Sequence, residues 1–345
     1  MTQRDVARLI DMPTAIRLVR EAFIVSASGK TIMPAKVYLS LPDGSDFRAM
    51  PAYVTSTGAC GMKWVNVHPR NPRRGLPTVM ALIIINDPAS GFPLAVMDGL
   101  LITKLRTAAS AAVAAEVLAR PDSRIVGLIG CGAQADAQLL ALAEVFGLSQ
   151  VNVWGYLAKE AQRFCRRMRP LVKGISFAPA TTVKDCVRDA DIIVTLTPSR
   201  RPLVMRSWLR PGAHINAIGA DGPGKQELDP RILKDATVVV DNYEQAVHGG
   251  EINVPVRRGQ FHPKDIHASL GELLLLRKRL RQNPKPLTPY YKSPTRIRGT
   301  GLTVFDSTGI AIHDVVLGHE VTRQAQRRGI GLCVDFQVPF PTIRV

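Results

Sequence analysis

Three groups of residues have types and spacings suited to chemistry. The first is Gly130-Cys131-Gly132-Ala133-Gln134-Ala135, directly after the apolar run Ile125 to Ile129. A helical pattern follows, with apolar residues at Leu139, Leu140, Leu142, Ala143 and Phe146 before Gly147, and Val151 to Trp154 reads as the next strand. Strand, glycine turn, helix and strand make a βαβ unit with a dinucleotide fingerprint. Gly130 permits the tight turn, Gly132 lets the backbone approach a pyrophosphate, and Ala135 lets the helix pack on the strand. The helix start then offers free N–H groups to the phosphates. A tight strand-to-helix turn with no ligand would use the same glycines. The second is Lys63, inside the otherwise apolar Gly61-Met62-Lys63-Trp64-Val65. Alternation puts it on the face of Val65, and an inward ammonium is costly unless paired. It either holds a substrate carboxylate or snorkels from an edge. The third is Asp221, between Gly219 and Gly222. It either caps the N–H groups of Gly222 or Gly224, or stands beside a nicotinamide and exchanges a proton with water or substrate. His68, in Val67-His68-Pro69, reads as a loop residue in preference to a base.

Periodicity supplies the elements that must position these groups. Residues 4–28 read as one helix ended by Gly29. Lys36 to Leu41, Phe47 to Pro51, Cys60 to Val67, Thr78 to Ile85 and Leu94 to Met97 read as strands of a largely antiparallel sheet. Leu101 to Leu118 is an alanine-rich helix. Beyond the βαβ unit, strands are expected at Ile175 to Ala178, Asp191 to Leu196, His214 to Ile218, Ala236 to Val240 and Thr303 to Phe305. Helices are expected at Ala158 to Met168, Thr182 to Arg188, Ile266 to Leu280 and Asp314 to Arg328. This alternation predicts an α/β, doubly wound parallel sheet beside a mixed α+β part. The expected division is residues 1–118 with 312–345, and residues 119–311. In such a sheet ligands sit at the carboxyl ends of the strands. Three loops qualify: Thr195 to Pro198, Asn216 to Lys225, and Phe305 to Gly309.

Composition narrows the class. The apolar fraction of 46% is that of a soluble globular chain. Five cysteines at Cys60, Cys131, Cys165, Cys186 and Cys333 fit neither a zinc site nor a disulfide framework, so reduced thiols in a cytoplasmic protein are expected and no metal. The start of the chain, with Arg4, Asp5, Arg8 and Asp11, is no signal peptide, and no run approaches a membrane span. The net charge of +17 is mostly dispersed. The dense stretch Arg277 to Arg298 holds eight Lys or Arg, no acid, and Pro284, Pro286, Pro289 and Pro294. It reads as a solvated basic loop, with polyanion binding as the alternative. No nucleic-acid motif accompanies it, and neither nucleic acid nor membrane is expected as a partner.

The stretches MPAYV, GMKWVNVHP, GLPTVMALI, LRTAASAA, IGCGAQADAQ, NAIGADGPGKQELD and VFDSTGIAIHD, in order over residues 1–335, resemble the ornithine cyclodeaminase/mu-crystallin family. That family includes archaeal-type alanine dehydrogenases, lysine cyclodeaminases and cyclic ketimine reductases. The resemblance implies a Rossmann domain plus a substrate-binding and dimerisation domain, usually in a homodimer, with bound NAD(H) or NADP(H). It gives Lys63 the substrate carboxylate, Asp221 the catalytic aspartate's place, and Thr308 a backbone contact to substrate. It gives cofactor contacts to Thr78 and to Arg106 near a helix start, and the pyrophosphate turn to Ala133 and Gln134 with Gly130 and Gly132. Nicotinamide-side contacts fall to Thr197, Ile215, Asn216, Ala217, Ile218, Lys225 and Ser307.

Departures from the family pattern set the specificity expected. Cyclodeaminases tend to carry a glutamate before their Met-Pro to meet a distal ammonium, where this chain has Arg48. A cation there repels ornithine's second amine by about a kcal/mol or more if desolvated. Arg48 and Lys63 could instead clamp a carboxylate together. The usual substrate arginine is replaced by Lys36, which keeps charge and loses bidentate geometry. Trp154-Gly155-Tyr156 holds no acid for a ribose diol, while Lys159 and Arg163 follow, so NADP(H) is favoured over NAD(H). The sequence therefore points to an NAD(P)-dependent amino-acid dehydrogenase or imine reductase. An ornithine cyclodeaminase, and a non-enzymatic nucleotide-binding protein, are the rival readings.

Overall fold

The structure, a computed structural model, describes residues 1–282 and 301–335. It opens with α1 (Gln3–Ala7) and α2 (Met12–Ala27). The single helix expected over 4–28 is broken between them. Asp11 caps a new helix there, its carboxylate accepting the Thr14 N–H at 3.0 Å, and Pro13 sits in the first turn.

Six strands follow: β1 (Thr31–Ile32), β2 (Val37–Ser40), β3 (Asp46–Val54), β4 (Ala59–Val67), β5 (Val79–Asn86) and β6 (Pro93–Asp98). They pair antiparallel in the order β1-β3-β4-β5-β6, with β2 also on β3. Alternation sorts the two faces. Arg48, Met50, Ala52, Lys63, Val65, Ile83 and Ile85 point inward and are buried, whereas Val37, Leu39, Leu82 and Val96 are exposed on the outer face. The alanine-rich α3 (Leu100–Leu118) is buried along nearly its whole length. Its small side chains let α2 and the first nucleotide-side helix approach closely.

The second part runs β7 (Ile125–Ile129), α4 (Ala135–Val145), β8 (Gln150–Trp154), α5 (Ala158–Met168), β9 (Ser176–Pro179), α6 (Val183–Val187), β10 (Ile192–Thr195), β11 (Arg200–Val204), β12 (His214–Ala217), β13 (Gln226–Leu228), α7 (Pro230–Asp235), β14 (Thr237–Val240), α8 (Tyr243–Gly249), α9 (Asn253–Arg257), β15 (Ala268–Ser269), α10 (Leu270–Gln282) and β16 (Thr303–Asp306). An eight-stranded parallel sheet forms in the order β15-β14-β16-β12-β10-β7-β8-β9. The strand order reverses between β7 and β10, which opens a crevice at their carboxyl ends. β11 and β13 make a separate parallel pair. The helix expected from Ile266 starts only at Leu270. Ser269 ends a short strand there and its hydroxyl accepts the Glu272 N–H at 3.3 Å. Arg277 to Gln282 close α10, so this part of the basic stretch is helical and not loop; residues 283–298 lie outside the described residues.

The last helix, α11 (Ala311–Arg328), begins three residues before the expected Asp314 and packs on β3, β4, β5 and α2. The chain thus returns to the inner face of the first sheet, and α11 carries its first turn into the interior beside Lys63. Among the described residues no helix is long and apolar enough to cross a membrane.

Candidate active site

The inner face of the first sheet supplies the cations. Met50 and Lys63 are directly opposite across β3 and β4, and Arg48 lies opposite Val65 on the same face. Lys63 is 1% exposed. Its ammonium donates to Asp314 Oδ2 at 2.7 Å, and Arg106 Nε donates to Asp314 Oδ1 at 3.2 Å. Burial and the neighbouring Arg106 draw Lys63 down to about 7 against the pull of Asp314. Burial opposes ionisation of Asp314, but its two cations outweigh that and hold its carboxyl below the usual range. Lys36, just before β2, donates to the Thr308 carbonyl at 2.8 Å. Burial, aided by Arg106 and Arg48 and opposed by Asp241, lowers Lys36 to about 8.

Arg48 and Lys63, the two cations expected at a carboxylate, face different acids. Arg48 is held by both oxygens of Asp46, at 2.7 and 3.0 Å, and its remaining nitrogen donates to Asp221 Oδ2 at 3.1 Å. A strand places residues 46 and 48 on the same face, so the fork closes locally before it reaches a ligand. Tyr38 lies under the guanidinium, 5.3 Å from ring centroid to carbon.

The nucleotide-side sheet supplies the acid and the loops. Thr195, Ala217 and Asp306 stand in register at the ends of β10, β12 and β16. The loops after them therefore emerge side by side, about 5 Å apart. From the second, Asp221 accepts from Arg48 and also from Lys225. Burial would raise its carboxyl; Lys225 and Arg48 overcome that and hold it well below the ordinary carboxylate range. From the third, the Ser307 hydroxyl and the Gly309 N–H both donate to Asp241, at 3.0 and 2.7 Å. This leaves the Thr308 carbonyl facing Lys36. Lys36, Arg48, Lys63, Arg106 and Lys225 are five cations against Asp46, Asp221, Asp241 and Asp314. This gathering of basic groups suits an anionic ligand, whose charge would favour the protonated forms of Lys36 and Lys63.

The glycine turn after β7 has the geometry of a phosphate cradle. Gly130 takes a φ of +98°, and a Cβ there would press on Leu196 and Thr197 at 3.1 Å. A Cβ on Gly132 would meet nothing within 4 Å, so its backbone borders open space. Gln134 precedes α4 without capping it, and its Oε1 is buried without a partner. The open backbone of the turn and the unpartnered Gln134 Oε1 fit a dinucleotide at the start of α4, where the Ala135 N–H is donated to the Gly132 carbonyl at 3.2 Å and the Ala137 N–H to Asp136 Oδ1 at 2.7 Å. The adjoining cleft measures about 870 Å³ and is lined by Gly132, Gly155, Tyr156, Arg163, Arg167 and Thr197 among others.

The remaining positions named from the sequence fall as follows. Ala133 is exposed on the turn. Ile215, Asn216 and Ala217 are fully buried inside β12, with the Asn216 amide donating to the Ala111 carbonyl, so the strand leads to the crevice and only Ile218 stands at its end. Arg106 lies in the second turn of α3, against Gly309. Thr78 stands just before β5, its carbonyl accepting the His68 N–H. Sequence reasoning passed over Asp314, Asp241, Asp46, Glu227 and Arg167. Asp241 directly follows β14 and Asp306 ends β16, a pattern that marks strand-end acids at a ligand-bearing edge.

Fold and cleft together define a dinucleotide-dependent oxidoreductase of the two-part α/β class. The chain belongs to the ornithine cyclodeaminase/mu-crystallin family, whose model matches residues 1–328. It is 46% identical over 336 residues to the alanine dehydrogenase of Archaeoglobus fulgidus, covering 97% of this chain and 98% of that protein. Among solved structures it superposes on an archaeal alanine dehydrogenase dimer with bound NAD, at a TM-score of 0.86 and 46% identity over 97% of this chain and 98% of that one. It also superposes on the Thermococcus litoralis Delta(1)-pyrroline-2-carboxylate reductase in complex with NADH and L-proline, at 0.87 and 32% identity over 97% and 99%.

Proposed function

We propose that this chain exchanges hydride between a nicotinamide dinucleotide and the Cα of a small amino or imino acid, as an amino-acid dehydrogenase or imine reductase. One observation carries the reading. Asp221 of the β12 loop is bonded to Arg48 of the first sheet, and Lys36 beside them meets the Thr308 carbonyl of the β16 loop. Cations from one part and an acid from the other thus meet where the parallel sheet opens. When bound, the dinucleotide supplies hydride chemistry at its nicotinamide C4. Gly130, Gly132, Ala133 and Gln134 would hold its pyrophosphate; Thr78, Arg106, Thr197, Ile218, Lys225 and Ser307 complete the proposed cofactor set, with Ile215 to Ala217 as supporting strand.

Lys36 and Lys63 orient the substrate carboxylate, with Arg48 shaping the wall and the Thr308 backbone fixing the substrate's place. Asp221 stays ionised, so it stabilises positive charge on the substrate nitrogen and orients the water that exchanges a proton with it. Arg48 stands where cyclodeaminases tend to carry the glutamate that meets a distal ammonium, which supports these reactions over ornithine cyclisation.

NADP(H) is the preferred cofactor in this reading. Glu160, the nearest acid after β8, lines the cleft but is engaged as a helix cap, accepting the Leu157 N–H at 3.2 Å, and Arg163 and Arg167 line the cleft beside it. The apolar outer face of the antiparallel sheet supports a homodimer, and five unpaired thiols support a reducing, cytoplasmic setting. The parts 1–118 with 312–345, and 119–311, act as substrate-binding and dinucleotide-binding domains. The test is absorbance at 340 nm with NADPH or NADH and pyruvate plus ammonium, or a cyclic imino acid such as Delta(1)-pyrroline-2-carboxylate. Stoichiometric loss of reduced cofactor is expected. Proline formed from ornithine with no net redox change would overturn the proposal.

A further inference from the structure

Behind the loops that frame the cleft lies a chain of three buried carboxyl groups, Asp306, Glu251 and Glu227, each fully buried. They join end to end through backbone amides. Asp306 accepts the N–H groups of Glu251 and Ile252 at 2.9 and 3.1 Å. Glu251 accepts those of Glu227 and Leu228, the shortest at 2.7 Å. Glu227 accepts the Thr197 N–H and hydroxyl on Oε1, both at 2.7 Å, and the Gly219 N–H on Oε2 at 3.1 Å. Such a chain fixes backbone, because a buried donor that loses its acceptor carries its full desolvation cost. The last link is the informative one. Thr197 borders the dinucleotide cleft, and Gly219 stands two residues before Asp221. The fit is close: a Cβ on Gly219 would fall 2.3 Å from both Glu227 Oε2 and the Thr197 carbonyl.

We propose that Glu227 is a positioning residue that pins the cofactor-side loop to the acid-bearing loop, so that Asp221 is held at a fixed place relative to the nicotinamide. The proposal rests on the dinucleotide reading above. Its two carboxyl oxygens serve two loops, so the loops can be uncoupled one at a time. In Glu227→Gln the carboxamide oxygen turns to Thr197, which offers two donors. The amide nitrogen then faces the Gly219 N–H, donor against donor, and the Asp221 loop shifts. Thr197→Val removes one bond on the cofactor side and leaves Gly219 pinned.

The two variants therefore carry opposite signatures. Binding of NADH and NADPH is read by fluorescence without turnover. kcat is read with pyruvate and ammonium or with Delta(1)-pyrroline-2-carboxylate, together with the deuterium isotope effect from cofactor labelled at C4. Glu227→Gln should keep dinucleotide affinity within about threefold, lower kcat about tenfold to a hundredfold, and raise the isotope effect, because an ångström of misplacement slows the chemical step by that order. Thr197→Val should weaken dinucleotide binding about threefold to tenfold with a smaller change in kcat. Equal losses of affinity and kcat in both variants, or an unchanged isotope effect in Glu227→Gln, would overturn the positioning role. If Glu227→Gln does not fold, Thr197→Val alone decides, since a kcat loss without loss of affinity refutes the division. A wild-type protein that binds neither dinucleotide would overturn the functional reading itself.

Discussion

Replacing Asp314 with Asn tests the electrostatic core of the site. Asp314 is completely buried and is shared by Lys63 at 2.7 Å and Arg106 at 3.2 Å, whose side chains are 1% and 9% exposed. The amide keeps the shape and removes the charge, so Arg106 loses its carboxylate out of water and Lys63, already drawn down to about 7, loses the pull that keeps it protonated. Removing one member of a buried ion pair costs about 3–5 kcal/mol. For a chain of 345 residues the unfolding entropy is about 0.7 kcal/mol/K, so Tm should fall by about 4–7 °C. Lys63→Met leaves Asp314 with Arg106 and should cost less. The double variant should regain part of the loss of Asp314→Asn, because no buried Lys63 amine is left without its carboxylate. Differential scanning calorimetry at pH 7 reads all three. A Tm for Asp314→Asn within a degree of wild type, or a double variant less stable than the sum of the singles, would refute the reasoning.

Gly132→Val should leave Tm nearly unchanged, because a Cβ there meets nothing, yet weaken NADH binding about tenfold or more in a fluorescence titration. If Arg167, which lines the cleft, meets the 2′-phosphate that distinguishes NADPH, Arg167→Ala should lower affinity for NADPH about tenfold while changing affinity for NADH about twofold or less; equal losses would exclude that contact. Burial raises Glu227 to about 7 from an ordinary 4.5, so its contribution to stability is full below pH 4.5 and is lost as pH rises through 7. Urea melts of wild type and Glu227→Gln should therefore converge between those pH values, by about 3 kcal/mol at most. Lys63 behaves oppositely: lowered to about 7 from 10.5, its contribution is lost as pH falls through 7, and Lys63→Met should flatten the wild-type gain in stability between pH 7 and 10.

Local rules carried most of the fold. The glycine turn announced the βαβ unit because glycine geometry is a property of consecutive residues, and Lys63 was placed inward by a two-residue period that needs no partner. The break after α1 was also legible, in Asp11 and Pro13, but the apolar period across 4–28 masked it. What stayed hidden was non-local. Asp314 meets Lys63 across 251 positions, and Glu227 reaches Thr197 across 30. No spacing rule marks such pairs. The Arg48–Asp46 fork, in contrast, is local, two residues apart on one strand face. The short strands β11, β13 and β15 escaped because two to five residues carry too little pattern to separate from loop.

Both parts of the chain should converge on one nicotinamide, and a crystal structure of the ternary complex with NADPH and a small carboxylate substrate or product would show it. The pyrophosphate is expected on the Gly130–Gln134 turn, the nicotinamide at the β10, β12 and β16 ends, the ligand carboxylate on Lys36 or Lys63, and its nitrogen on Asp221. A dinucleotide bound elsewhere, or a ligand whose Cα lies beyond hydride reach of the nicotinamide C4, would contradict it.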